Sequence, residues 1–285
     1  MKEHKYEVLL ASVIAARATS FIFSKMILEY IDTFNLLAIR CLLAFAILAV
    51  LFFKRLRDMP FKTVISGVIV GILFFLVMSA ELTALKEASS STVSLLENCA
   101  IIFVPLLEAI LLWRLPSGRI MISALAAFLG VACLTLAQGG LTGGVFWGLL
   151  SAVLYAIAII VTAKVSQGSG DPLCIGIIQV GTMGVLALSA SFLFETPALP
   201  AGSRQWIMIG ILAVVCTCFG FTLQPMAQSR ISAERAGIFC AISPAIATLL
   251  GVAVLHENIG FLGIAGLILI LSSIVIRSEE HTSEL

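Results

Sequence analysis

Ser91-Thr92-Val93-Ser94-Leu95-Leu96-Glu97-Asn98-Cys99-Ala100-Ile101-Ile102-Phe103-Val104-Pro105-Leu106-Leu107-Glu108-Ala109-Ile110-Leu111-Leu112 is apolar almost throughout, yet it carries two carboxylates and a proline. Wound as an α-helix at about 1.5 Å per residue, it reaches across a hydrocarbon core about 30 Å thick. Glu97 and Glu108 stand close to three turns apart, so they share one stripe with Ser94, Ile101 and Pro105. The other faces offer nothing polar for water to solvate. A charge left in hydrocarbon costs about 3 kcal/mol or more. The segment therefore reads as a membrane helix that turns its polar stripe towards protein or a cavity.

The rest of the chain extends that reading. Of 285 residues, 60% are hydrophobic and 12% charged, and the mean hydropathy is +1.13. Soluble domains carry about 25% charged residues, so much of this surface must face lipid. Ten spans are expected: Val8–Leu28, Phe34–Phe53, Thr63–Leu82, Ser91–Leu112, Ile120–Ala137, Val145–Ala163, Leu173–Phe194, Trp206–Leu223, Gly237–Leu255 and Phe261–Ile276. The links are short and leave no room for a soluble domain. The fold class is thus an all-α integral membrane protein of ten transmembrane helices. The first span has no small-residue cleavage site behind it and is not a removable signal. The last nine residues, Arg277–Leu285, resemble a translated sequencing adapter and read as an artefactual tail.

Charge sets the orientation. With the N-terminus in the cytoplasm, the inner segments hold Lys2, Lys5, Lys54, Arg55, Arg57, Lys62, Arg114, Arg119, Lys164, Arg230 and Arg235, against Lys86 and Arg204 outside. That asymmetry follows the positive-inside rule and places both termini in the cytoplasm of a bacterial inner membrane. One offset relates Lys25 to Lys164, Asp32 to Asp171, Pro105 to Pro244 and Arg40 to Gln179. The chain then divides into residues 1–140 and 141–276, five spans each. An odd number per half turns the two halves upside down relative to each other, the inverted repeat of secondary transporters, whose substrate site lies at the midplane.

Ionisable groups inside the bilayer mark candidate sites. Arg17 lies mid-way along the first span, on a stripe with Ser20 and Ser24. The expectation is that this stripe faces that of the fourth span and that Arg17 pairs with Glu97. Such a pair is either a neutralising clamp between helices or a binding site for an anionic group, a cationic substrate or a proton. Asn98 and Tyr155 are placed with Arg17 and Glu97 as substrate-binding residues. Glu108 and Glu81 are further candidates, although each lies near a span end where water is within reach. Lys25 and Lys164 end their spans, where snorkelling is the inexpensive reading, and Lys25 is also assigned a gating or structural role. Arg40 and Gln179 are assigned gating or structural roles, as are Pro105 and Pro244, which are expected to bend spans four and nine. Gln224-Pro225 is a lesser break. Gly67 and Gly71 form a small-xxx-small pair for close packing. Trp147, Phe21 and Phe23 are candidate cavity wall, and Glu257 reads as a cap of the last helix.

Four features also resemble the drug/metabolite transporter superfamily and its EamA-type members. They are Phe21-Ile22-Phe23-Ser24-Lys25 with Arg40 beyond; Ala84-Leu85-Lys86 leading to Pro105; Ser232-Ala233-Glu234-Arg235-Ala236 leading to Ser243-Pro244; and His256-Glu257-Asn258, similar to a Gly-Glu-Arg turn. Gly118 stands where the first half of such proteins has a glutamate, and Arg17 replaces a small or aromatic residue. The resemblance implies a carrier of small organic metabolites or drugs, working without a cofactor and coupled to a proton or other ion.

Other functions lack their residues. No P-loop, zinc motif or serine–histidine–aspartate set is present, and the near-zero net charge gives no footprint for nucleic acid. The seven cysteines, Cys41, Cys99, Cys133, Cys174, Cys216, Cys218 and Cys240, lie in or beside apolar runs and read as small buried hydrophobes. An intramembrane enzyme acting on a lipid or prenyl substrate would need clustered carboxylates at one face, whereas Asp58 and Glu87 are assigned to opposite faces. A non-transporting scaffold would have no cavity between its halves.

Overall fold

A computed structural model describes residues 2–111, 118–137, 140–168, 171–229, 242–257 and 260–283. The elements are α1 Lys2–Ile27, α2 Thr33–Leu51, α3 Phe53–Arg57, α4 Phe61–Glu87, α5 Ser90–Asn98, α6 Ala100–Leu111, α7 Gly118–Ala137, α8 Gly143–Gly168, α9 Pro172–Phe194, α10 Ser203–Ile211, a π-helical segment Leu212–Phe221, α11 Thr222–Gln228, α12 Ile242–Leu255 and α13 Phe261–Ser283. All regular structure among the described residues is helical. Among the described residues, seven helical stretches are long and apolar enough to cross a membrane. The other three expected spans fall on α7, α12 and α13, whose side chains lie partly outside the described residues. The same is true of Ser232 to Ala236, Arg114, Arg230, Cys240 and Asn258.

Polarity is distributed inside out. Arg40, Glu81, Glu97, Asn98 and Gln179 are buried, while Phe192, Phe194, Ile65 and Leu129 are exposed. Hydrocarbon around the bundle accounts for both facts, because it solvates the phenylalanines and rejects the charges. Helix α4 packs on α8 and α9, and α9 also packs on α2. Gly67 and Gly71 make the α4–α9 approach possible. A methyl group at Gly71 would sit 2.6 Å from Thr182 Cβ, and one at Gly67 2.5 Å from Ile178 Cβ. Helices α7 and α13 form a tight pair through Gly130, whose missing side chain admits Ile270.

Three breaks differ from expectation. Span four divides at Cys99, whose N–H bonds back to the Leu96 carbonyl in a tight three-residue turn. The interruption precedes Pro105, which sits inside α6. Because α5 and α6 are separate helices, the stripe drawn from Glu97 to Glu108 is not continuous. Pro244 lies near the start of the described part of α12, and the preceding residues of span nine, where its bend was expected, lie outside the described residues. Span eight widens into the π segment, whose wider turns let Thr217 Oγ1 reach the Leu212 carbonyl at 2.8 Å. Helix α11 runs unbroken through Pro225.

The loops gather at two ends. At one end Lys86 pairs with Asp32 at 2.8 Å, and Glu195 accepts from the Phe34 and Asn35 N–H groups at 2.9 and 2.8 Å. Glu257 reaches Ser90 at the same end. At the other end Arg55 meets Asp171 at 3.5 Å. Asp58 lies with Arg55 and Asp171, whereas Glu87 lies beside Ser90 near Gly143, so the two acids are at opposite ends.

Candidate functional site

The site is built around a guanidinium that the bundle has taken out of water. Arg17, 9% exposed, extends from α1 towards α5, α8 and α11. Its Nη1 donates to Tyr155 Oη at 2.7 Å and to Gln224 Oε1 at 2.9 Å. Its Nη2 lies 3.6 Å from Glu97 Oε1. The rings of Phe221, Tyr155 and Phe74 surround its carbon at 4.4, 5.0 and 5.8 Å to their centroids. Rings offer their negative faces to the cation, an attraction of about 2 kcal/mol when desolvated. Gly220 leaves the room required, since a Cβ there would stand 2.8 Å from Arg17 Cγ. The expected pairing of Arg17 with Glu97 is present. Its surroundings add Gln224, which the sequence marked only as part of a lesser break, and Phe74 and Phe221, which it did not single out. The nearest signal was Gln224, an amide within an apolar run.

Beside this pair lies a cavity lined by Ile14, Arg17, Phe21, Glu97, Asn98, Tyr155 and Ser243. It leaves about 20 Å³ open to a water-sized sphere, room for a single water. Asn98 Nδ2 donates to the Ser94 carbonyl at 2.8 Å, while Asn98 Oδ1 and Glu97 Oε2 are buried without a hydrogen-bond partner. Ser94 and Ser243 hydroxyls are 3.5 Å apart, joining α5 to α12. Larger hollows lie elsewhere. One of about 530 Å³ between α6, α7 and α8 is walled by apolar residues, among them Phe103, Leu106 and Phe128. Another of about 340 Å³ opens at the Arg55–Asp171 end. Of these three hollows, the small cavity brings buried charge and open polar valences together among the described residues.

The other candidates distribute as follows. Glu81, expected near water, is 2% exposed and its carboxyl neighbours Glu97. Helix α4 continues beyond it to Glu87, so its side chain turns inward instead of reaching the surface. Arg40 is also buried, donating to Thr217 Oγ1 at 3.2 Å and to Ser20 and Ser24 at 3.2 and 3.5 Å. It shares the Phe221 ring with Arg17, at 5.9 Å. Lys25 does not snorkel. Its Nζ donates to the Leu85 and Ala88 carbonyls, each at 2.6 Å, satisfying groups that the end of α4 leaves unpaired. Lys164 is exposed. Glu108 is half-buried on α6 and does not line the cavity; neither does Gln179, which lies on α9 at the α4 contact. Phe21 forms cavity wall, whereas Phe23 and the exposed Trp147 do not. Glu257 caps a different helix from the one expected. Its two oxygens accept from the N–H and hydroxyl of both Ser90 and Ser91, at 2.6–3.2 Å, closing the N-terminus of α5.

Known proteins resemble this chain. The chain is 27% identical to an uncharacterized transporter from Archaeoglobus fulgidus over 252 residues, 87% of this chain and 88% of that one. It superposes on a solved protein crystal structure with a TM-score of 0.71 at 16% identity, covering 97% of each chain, a likeness of fold. The profile of the EamA-like transporter family, part of the drug/metabolite transporter superfamily, matches twice, over residues 5–136 and 142–278. The chain is a multi-pass membrane protein that belongs to the EamA-like transporter family.

Proposed function

We propose that this protein is a secondary carrier that moves a small organic metabolite or drug across the bacterial inner membrane by alternating access. In this reading the ten spans form two inverted five-helix units, residues 1–140 and 141–276, with both termini in the cytoplasm. The observation that carries it is the cavity beside Arg17 and Glu97, enclosed by residues from both units. A cavity with room for one water represents a closed state, and substrate enters when the helices around it part. The connections at the Ser90 end suit a gate, because Glu257 and Glu195 each hold a helix of the first unit from the second. The neighbouring carboxyls Glu81 and Glu97 offer a place for a coupling proton.

The test is a thermal-shift screen of the purified protein against amino acids, nucleosides and common drugs, followed by flux of any stabilising compound into proteoliposomes. A ligand that binds only the folded form raises its stability. The reading expects one compound class to stabilise the protein and to exchange across the membrane, with flux lost in Arg17→Ala. Unchanged flux in a well-inserted Arg17→Ala protein refutes a role for this site, and stabilisation without flux in any direction refutes the carrier.

A further inference from the structure

We infer that the cavity beside Arg17 receives a primary ammonium group of the substrate and not an anion, an inference that rests on the carrier reading. Arginine at a buried site ordinarily suggests a carboxylate or phosphate ligand, but here both Nη1 hydrogens are given to protein groups and a carboxylate already faces Nη2. Arg17 Nη1 serves Tyr155 and Gln224, Nη2 faces Glu97, and three rings cover the guanidinium. The unmet valences are acceptors. Glu97 Oε2 and Asn98 Oδ1 are both buried, both belong to cavity-lining residues and both lack a hydrogen-bond partner. The Asn98 amide is held in this sense by its bond to the Ser94 carbonyl. Reversing it would set two acceptors against each other.

A ligand that completes these groups must donate at least two hydrogens. A carboxylate has none, and a quaternary ammonium has none either. A primary ammonium has three, and the Ser243 hydroxyl in the same wall can take the third. Charge agrees with this, because Glu81 sets a second carboxyl beside Glu97. Arg40 spends its polar contacts on Thr217, Ser20 and Ser24. Size agrees as well. About 20 Å³ of open space accommodates one nitrogen with its hydrogens, and three methyl groups would not fit.

The experiment uses the purified full-length protein and three probes at equal ionic strength: n-propylammonium chloride, N,N,N-trimethylpropylammonium chloride and sodium propionate. Unfolding temperature is read as a function of concentration. Propylammonium should raise it saturably, by about 2–4 °C well above half-saturation, and the other two should leave it unchanged. Glu97→Gln should lose the response. Asn98→Leu, which leaves the Arg17 ion pair in place, should lose it too and serves if Glu97→Gln fails to fold. A response to propionate alone reverses the assigned charge. An equal response to the trimethyl compound removes the hydrogen-bond argument. No response to propylammonium overturns the ammonium site, while carrier activity is judged separately by the flux assay.

Discussion

Glu257 holds Ser90 by two hydrogen bonds of 2.7 Å, one from the backbone N–H and one from the hydroxyl, although the residues are 167 positions apart. With the matching pair from Ser91, a single carboxylate closes the start of α5. Seven residues along that nine-residue helix sits Glu97. At its far end a tight turn at Cys99 separates α5 from α6. A short rod fixed at one end and broken at the other carries the site's central carboxylate. Gly251 makes room for the clasp, since a Cβ there would lie 2.6 Å from Glu257 Oε2.

Glu257→Ala should therefore loosen α5 before it unfolds the bundle. Loss of a helix cap costs about 1–2 kcal/mol. Hydrogen exchange read by mass spectrometry should accelerate in residues 91–98 and stay near wild type in α2, whose start is held by Glu195. Equal acceleration in both helices would mean general destabilisation in place of a released clasp.

Arg17→Ala leaves Glu97 buried opposite no cation, a change expected to cost about 3–5 kcal/mol. The double variant Arg17→Ala/Glu97→Gln removes the uncompensated charge and should recover part of that loss. Unfolding temperatures of the two singles and the double provide the measurement. Additive effects would show that the 3.6 Å contact carries no coupling.

Gly220→Ala places a methyl group where Arg17 Cγ now packs. Alanine otherwise favours a helix by about 1 kcal/mol over glycine. The expected result is a fold of nearly unchanged stability whose ligand response is weakened several-fold, because the guanidinium moves off Phe221. Intact ligand affinity together with wild-type stability would show that the arginine can shift without consequence.

Glu81→Gln keeps the size and removes the ionisable group beside Glu97. If the coupling proton rides on this pair, flux in proteoliposomes should lose its dependence on a pH gradient while downhill exchange persists. Gradient-driven uptake at the wild-type rate would assign coupling elsewhere.

The contrast between Lys25 and Arg17 shows how far local pattern reaches. Both were visible as cations in one hydrophobic run, and hydropathy alone marks that run as a membrane helix, because transfer energies sum along a segment without reference to its neighbours. The Arg17–Glu97 pair was also legible, since two charges on facing stripes in hydrocarbon have few other partners. The snorkelling reading of Lys25 missed its partners because the carbonyls it serves belong to Leu85 and Ala88, on a helix whose end the local sequence does not locate. Glu81 failed for a related reason: distance from a span end measures depth, but the side of the helix it occupies depends on what packs there.

What the sequence by itself determined is the class of molecule, a bundle of apolar helices with a small set of charges that must be buried, together with the pairing of Arg17 and Glu97. What only the tertiary structure decided is the company those charges keep. Tyr155 and Gln224 on one guanidinium, Phe221 shared by Arg17 and Arg40, and Glu257 clasping Ser90 all join distant parts of the chain. Hydrophobic periodicity is a property of neighbours along a helix. A hydrogen bond between helices depends on register and rotation about their axes, and those are set by packing such as the Gly71–Thr182 contact, which appears only when the helices are laid side by side.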